Sequence, residues 1–255
     1  MKPYGYVGEI KRFALVVVVA SLLACASDGS IDPIRAVSVG VGLLSAATID
    51  EEDVARAASA YARELDKKNQ LAAADNPYAV RLAKITAALP DLSNRFNFKV
   101  YLSDSINAFA MADGTVRVYS GLMDVMPDDQ VLAVMGHEIG HVKLKHSYRQ
   151  MREQLLTNTA FQLVGGMNES LSRLTSSQLG ALANQAIDAR FSQEDELDSD
   201  VYAVRLLKSM GEDPHAMLRS IQTLRAKSGS GGGFLSSHPS NSQRIAHIQQ
   251  AINNL

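Results

Sequence analysis

Residues 133–142 read AVMGHEIGHV, and the five at their centre, His137-Glu138-Ile139-Gly140-His141, decide how the rest of the chain is read. On a helix, positions i and i+4 lie about 40° apart around the axis. Two imidazoles on one face then reach one zinc ion, and Glu138 reaches a water at that ion without being a ligand. Val131, Leu132, Val134, Met135 and Val142 give the helix an apolar surface, and Gly136 and Gly140 let other backbone approach it closely. A catalytic zinc needs a third protein ligand and an open fourth position. Candidates lie in Arg190 to Ala203, RFSQEDELDSDVYA, where Glu194 with Asp198 and Glu196 with Asp200 are both helical i, i+4 pairs. Either pair can give one carboxylate to the metal and one to orient a histidine behind it.

Outward from this segment the chain reads as mainly α, an α+β domain with one small sheet or hairpin beside the histidine-bearing helix. Asp50-Glu51-Glu52-Asp53 is a cap residue followed by acids at the positive end of a helix dipole, opening a helix to about Lys68. Asn76-Pro77 opens another, to about Leu89. Phe98 to Leu102 alternates as a strand. Ala108 to Met111 and Thr115 to Tyr119 flank Asp113-Gly114, a hairpin turn signal. One long helical pattern runs from about Asp128 to beyond Gln150. On that helix His146, five residues past His141, points off the metal face and is expected in solvent. Residues 155–190 are mostly helical in pattern, with breaks near Gly165-Gly166. Further helices are expected from Gln193 to Met210, from Pro214 to Lys227 and from Asn241 to Asn253, with a flexible loop over Ser228 to Gly233. No role is expected of His215 or His247.

The first residues read as an address. Lys2, Lys11 and Arg12 precede the twelve-residue apolar run Phe13 to Ala24, too short to span a bilayer comfortably but suited to a secretory signal, with Glu9 an unusual intrusion. Leu22-Leu23-Ala24-Cys25 resembles the lipobox of bacterial lipoproteins, in which cleavage precedes a lipid-bearing cysteine. On this reading residues 1–24 are a signal peptide, 25–49 a lipid-anchored tether and apolar segment, and 50–255 the functional domain. Lipid on Cys25 attaches the chain to the membrane, and Ala26, where an Asp would mark inner-membrane retention, favours the outer membrane facing the periplasm. Ile34 to Ala47 is a second apolar stretch, too short to span and expected to pack. A single cysteine excludes an internal disulfide and a thiolate metal site. A formal net charge of −2 leaves no basic field to hold nucleic acid.

AVMGHEIGHV, with Asn107-Ala108-Phe109-Ala110 upstream and a Glu-x-x-x-Asp pair downstream, resembles metallopeptidase family forty-eight, the zinc peptidases of HtpX, Oma and CAAX-protease type. The resemblance covers most of residues 75–250 and implies a zincin-like domain. The family's Ser-Arg-x-x-Glu-x-x-Ala-Asp-x-x-Ala pattern is matched by Ser192, Glu196, Asp200 and Ala203, while Gln193 and Ser199 depart from it. It therefore implies one zinc ion per chain, held by His137, His141 and Glu196 with Asp200 behind, Glu194 remaining the runner-up. Asn107 to Ala110, then Gly114, Val116 and Val118, resembles the family's edge strand, to which a peptide substrate adds by main-chain hydrogen bonds. Ser237-His238-Pro239 followed by Arg244 resembles its His-Pro-x-x-x-x-Arg segment. There the resemblance implies a histidine able to occupy the open zinc position as a gate. It leaves Arg244 either stabilising the oxyanion or fixing the loop, with a surface ion pair as the plainer alternative.

The implied activity is endoproteolysis of misfolded or unfolded envelope proteins, with Glu138 as general base. A competing expectation is a lipid-anchored, chaperone-like or assembly module whose zinc site is latched by His238 and cleaves little. A third is a structural lipoprotein whose motif is accidental.

Overall fold

The structure is a computed structural model and describes residues 49–87, 89, 95–157, 176–227, 233–240 and 242–255. Cys25, the signal-like run, the apolar stretch at 34–47, Gly165-Gly166 and residues 228–232 lie outside the described residues.

Element ends follow local chemistry. Helix α1 (Glu51–Lys68) starts from a reciprocal capping box: the Asp53 N–H donates to Asp50 and the Asp50 N–H to Asp53. Helix α2 (Pro77–Ala87) is opened by Asn76, whose Oδ1 accepts from the Tyr78 N–H at 3.0 Å. Three strands follow, β1 (Asn97–Tyr101), β2 (Ala108–Ala110) and β3 (Thr115–Tyr119), in the spatial order β1-β3-β2. The Asp113-Gly114 turn makes β2 and β3 an antiparallel hairpin with Phe109 opposite Arg117. Gly114 has φ 85°, and a Cβ there would lie 2.2 Å from the Arg95 carbonyl oxygen, so both conformation and space demand glycine. β1 lies parallel to β3 on its other side, leaving β2 at an edge.

The remaining elements are helical: α3 (Ser120–Val125), α4 (Asp128–Lys143), α5 (His146–Thr157), α6 (Ser176–Asp188), α7 (Gln193–Ser209), α8 (His215–Lys227), the single turn α9 (Phe234–Ser237) and α10 (Ser242–Asn253). The fold is thus mostly helical with one small mixed sheet, as the sequence pattern predicts. α4 carries the motif and is buried along its whole length from Gln130 to His141. It packs mainly on α7, and two glycines set how closely. A Cβ at Gly140 would meet Ser199 and Tyr202 at 3.2 Å, and one at Gly136 would meet Ala203 at 3.4 Å. Val131, Val134, Met135, Ile139, Ala203, Val204 and Leu207 join this contact to the main core, which extends to α8 and α10. A second cluster gathers Val54, Tyr61 and Leu65 of α1 with Phe109, Met151 and Leu182.

One expectation is corrected. The helical pattern from Asp128 to beyond Gln150 is two helices, not one. Lys145 takes φ 62°, the left-handed region, between the end of α4 and the start of α5. That residue redirects the chain and changes where His146 goes.

Candidate active site

Two helices present the chemistry to each other. α4 supplies His137, Glu138 and His141. α7, begun by a capping box between Ser192 and Asp195, supplies Glu196 and Asp200 one and two turns into its length. The loop after α9 adds His238. Ligand atoms of His137, His141, Glu196 and His238 all lie within 4.8 Å of one another. His141 Nε2 is 3.1 Å from His137 Nε2 and 3.3 Å from Glu196 Oε1. His238 Nδ1 is 2.8 Å from Glu196 Oε1 and 3.4 Å from His137 Nε2. None of the four, nor Glu138, is more than 2% exposed. Glu194, the runner-up, is exposed on the opposite side of its helix turn.

The groups behind the cluster are also buried. His137 Nδ1 sits 2.9 Å from Asp200 Oδ1, though at an angle too bent for a hydrogen bond. Arg244 grips Asp200 in a bidentate pair through one edge of its guanidinium, Nε to Oδ2 at 2.8 Å and Nη2 to Oδ1 at 2.6 Å. Its Nη1 lies 2.6 Å from Glu196 Oε2 and donates to the His238 and Pro239 carbonyl oxygens at 3.3 Å. Arg244 is fully buried, so the surface ion pair is excluded, and its donors hold two carboxylates and the His238 loop in place. That is the geometry of a positioning residue rather than of a donor free to meet an oxyanion.

Burial pushes the Glu138 carboxyl up from its ordinary range, partly opposed by His238 and His137. Burial acts on Glu196 in the same sense, but His238, His141 and His137 outweigh it and hold that carboxyl far below the usual range. Burial also drives His141 well below its ordinary value. For His238 the same desolvation is outweighed by Glu196 and Glu138, which raise it. The two carboxylates are therefore pushed apart, one toward holding a proton and one toward staying ionised.

The donor set fits a divalent cation. Buried Glu138 Oε1 and Glu196 Oε2 make no hydrogen bond, although His238 Nε2 and Arg244 Nη1 stand 3.3 and 2.6 Å from them. Three imidazoles and a carboxylate with no thiol converge on one point, a nitrogen and oxygen set of the kind that binds zinc.

Strand β2 places Asn107, Ala108, Phe109 and Ala110 beside this cluster. Its inner edge pairs with β3, and its outer edge is partly occupied by the chain itself. Asn107 Oδ1 accepts from the Ala108 N–H at 2.9 Å, and Ser147 Oγ donates to the Ala110 carbonyl at 3.3 Å. A cavity of about 20 Å³ adjoins Glu138 between Phe109, Met111, Met151, Phe191 and His238. It has room for one water and none for a peptide side chain.

Three residues have no signature in sequence. Phe191 stacks on His141 with centroids 3.8 Å apart and Phe234 on His238 at 4.4 Å, together roofing the histidines. A lone phenylalanine carries no pattern that would reveal this. The third is His146, expected in solvent. It is buried, with Nδ1 3.1 Å from His141 Nδ1. The left-handed Lys145 turns it back, so its spacing from His141 on a continuous helix does not apply.

The Peptidase family M48 model matches residues 76–252. Metalloprotease YcaL of Escherichia coli K12 is 37% identical over 94% of this chain and 95% of its own length. Metalloprotease LoiP of the same strain is 33% identical over 95% of this chain and 98% of its own. The beta-barrel assembly-enhancing protease of Escherichia coli O157:H7 is 31% identical over 63% of this chain, which spans 35% of that longer protein.

Proposed function

The chain belongs to peptidase family M48 and is a metalloprotease, and on that premise we propose that it is a zinc endopeptidase working in the bacterial cell envelope. The reading is carried by one observation: the convergence of His137, His141 and Glu196, buried and within 4.8 Å, beside a buried Glu138. In it these three residues hold the ion, and His238 stands where a fourth ligand would. A zinc ion so held supplies Lewis-acid polarisation and an acidified water.

The chain's own groups do the rest. Glu138, with its carboxyl raised by burial, accepts the proton of the attacking water and delivers it to the leaving amine. Asp200 holds His137 from behind, and Arg244 holds Asp200, Glu196 and the His238 loop together. An extended substrate adds to the outer edge of β2, where Ala108 and Ala110 offer main-chain groups. It gains that edge once Ser147, Phe191 and the His238 loop move aside. His238 is thus a gate on an enzyme. The similarity to two proteins named as metalloproteases supports this reading over a latched module that cleaves little.

Placement in the envelope rests on the Cys25 lipobox, with 1–24 removed, 25–49 a tether and 50–255 the catalytic domain. No helix among the described residues is long and apolar enough to cross a membrane. The similarity to a protease named for beta-barrel assembly is in keeping with envelope proteins as substrates, and in this reading those are misfolded or unfolded ones. The test is cleavage of an unfolded protein with and without chelator, comparing wild type with Glu138→Gln. Chelator-sensitive cleavage by the wild type alone supports the reading. Cleavage by a zinc-replete Glu138→Gln protein contradicts it.

A further inference from the structure

His146 has a place in the site that its sequence position hides. Its Nδ1 lies 3.1 Å from His141 Nδ1 and 3.2 Å from Ser199 Oγ. Its Nε2 lies 3.4 Å from Asp195 Oδ1, and Asp195 is itself paired with Arg149. His141 turns the other nitrogen, Nε2, into the cluster. A neutral imidazole that offers Nε2 to a cation must carry its proton on Nδ1, and a buried N–H needs an acceptor. Two ring nitrogens 3.1 Å apart can share only one proton. With the proton on His141, His146 must accept at Nδ1 and carry its own proton on Nε2, facing Asp195.

We propose that His146 is a positioning residue for the metal centre, fixing the tautomer and ring orientation of His141 through an Nδ1–H···Nδ1 hydrogen bond, with Asp195 fixing His146 in turn. The two metal-side histidines are then supported differently. His137 is backed directly by the carboxylate of Asp200, which Arg244 neutralises. His141 is backed by a neutral ring, and the carboxylate stands one residue further out. Several observations place His146 there independently of any ligand. Gly140 lets Ser199 approach α4, the left-handed Lys145 starts α5 beneath His141, and the Ser192–Asp195 capping box fixes Asp195 in the first turn of α7. Groups that support a metal-binding histidine in this way typically contribute about 10–100-fold in metal affinity.

The proposal rests on the zinc site proposed above, and the test keeps the two apart. Long-range proton–nitrogen spectra of the zinc-loaded wild type, labelled at histidine nitrogen, read each ring's tautomer without any substitution. The expected result is a proton on Nδ1 of His141 and on Nε2 of His146. A proton on Nδ1 of His146 overturns the proposal. Chelator competition supplies the second measurement, with melting of the metal-free proteins as the folding control. His146→Leu should weaken zinc binding about 10–100-fold. His146→Asn, whose Oδ1 stands where Nδ1 stood, should restore most of that loss. A folded His146→Leu protein with wild-type zinc affinity overturns the proposal. A wild type that binds no zinc overturns the metal site itself, a different result from a zinc-loaded protein with the wrong tautomer.

Discussion

Two ionic networks among the described residues, one part-buried and one fully buried, are finished to different degrees. In the first, Asp66 accepts from the Tyr101 hydroxyl at 2.7 Å, from Lys99 at 2.8 Å and from Nε and Nη2 of Arg117 at 2.8 and 2.9 Å. Arg117 uses its remaining nitrogen on the Asn97 and Val116 carbonyls. Both oxygens of the carboxylate are satisfied, and the network ties α1 to β1 and β3. In the second, around His137 and Glu196, buried atoms of three residues lack hydrogen bonds although charged neighbours stand close. A closed network is what a fold needs for a unique packing. An incomplete one, at the junction of α4 and α7, is what a fold leaves for a ligand.

The contrast breaks first at Glu138. If its carboxylate is there to take a proton, Glu138→Gln should lower the rate of peptide hydrolysis by about 10²–10⁴-fold while zinc content and melting temperature stay near wild type. A parallel loss of metal would instead make Glu138 part of the scaffold. Next comes Asp66→Asn, which leaves the Arg117 guanidinium, only 2% exposed, without its counter-ion. Denaturant unfolding at neutral pH should show a loss of about 3 kcal/mol, and the zinc content of the folded protein should not change.

The same network has a pH signature. Burial tends to raise the Asp66 carboxyl, but Arg117, Lys99 and Tyr101 bring it from 3.8 down to about 2. Its contribution is therefore fully present above about pH 4 and is lost as pH falls toward 2, because the unfolded chain takes up the proton first. Acid titration of stability should be shallower over that interval in Asp66→Asn than in wild type. The smallest effect is expected at the gate: His238→Ala should raise cleavage of an unfolded substrate severalfold with no change in stoichiometric zinc. An unchanged or lower rate would make His238 a structural member of the cluster.

Much of this was legible in the residues. Asp50 with three following acids and Asp113-Gly114 are local signals, and a capping box and a positive φ meet them at those positions. Gly136 and Gly140 announced a close helix contact, which α7 makes. Glu194 and Glu196 could not be separated by spacing alone, since both start i, i+4 pairs. The rotation of α7 against α4 decides which faces inward, and that is a tertiary fact. The parallel pairing of β1 with β3 joins segments with a third strand between them in sequence, so no turn residue marks it. His146 departs from its sequence expectation for a different reason. A lysine carries no glycine-like warning of a left-handed residue, yet Lys145 takes φ 62°.

The central claim is that α4 and α7 together hold one metal ion through His137, His141 and Glu196. Elemental analysis of the purified protein tests it most directly, comparing wild type with Glu196→Ala and Glu194→Ala. One zinc per chain is expected in wild type and in Glu194→Ala, and a loss of zinc in Glu196→Ala. Zinc retained in Glu196→Ala but lost in Glu194→Ala, or a wild type without metal, would contradict it.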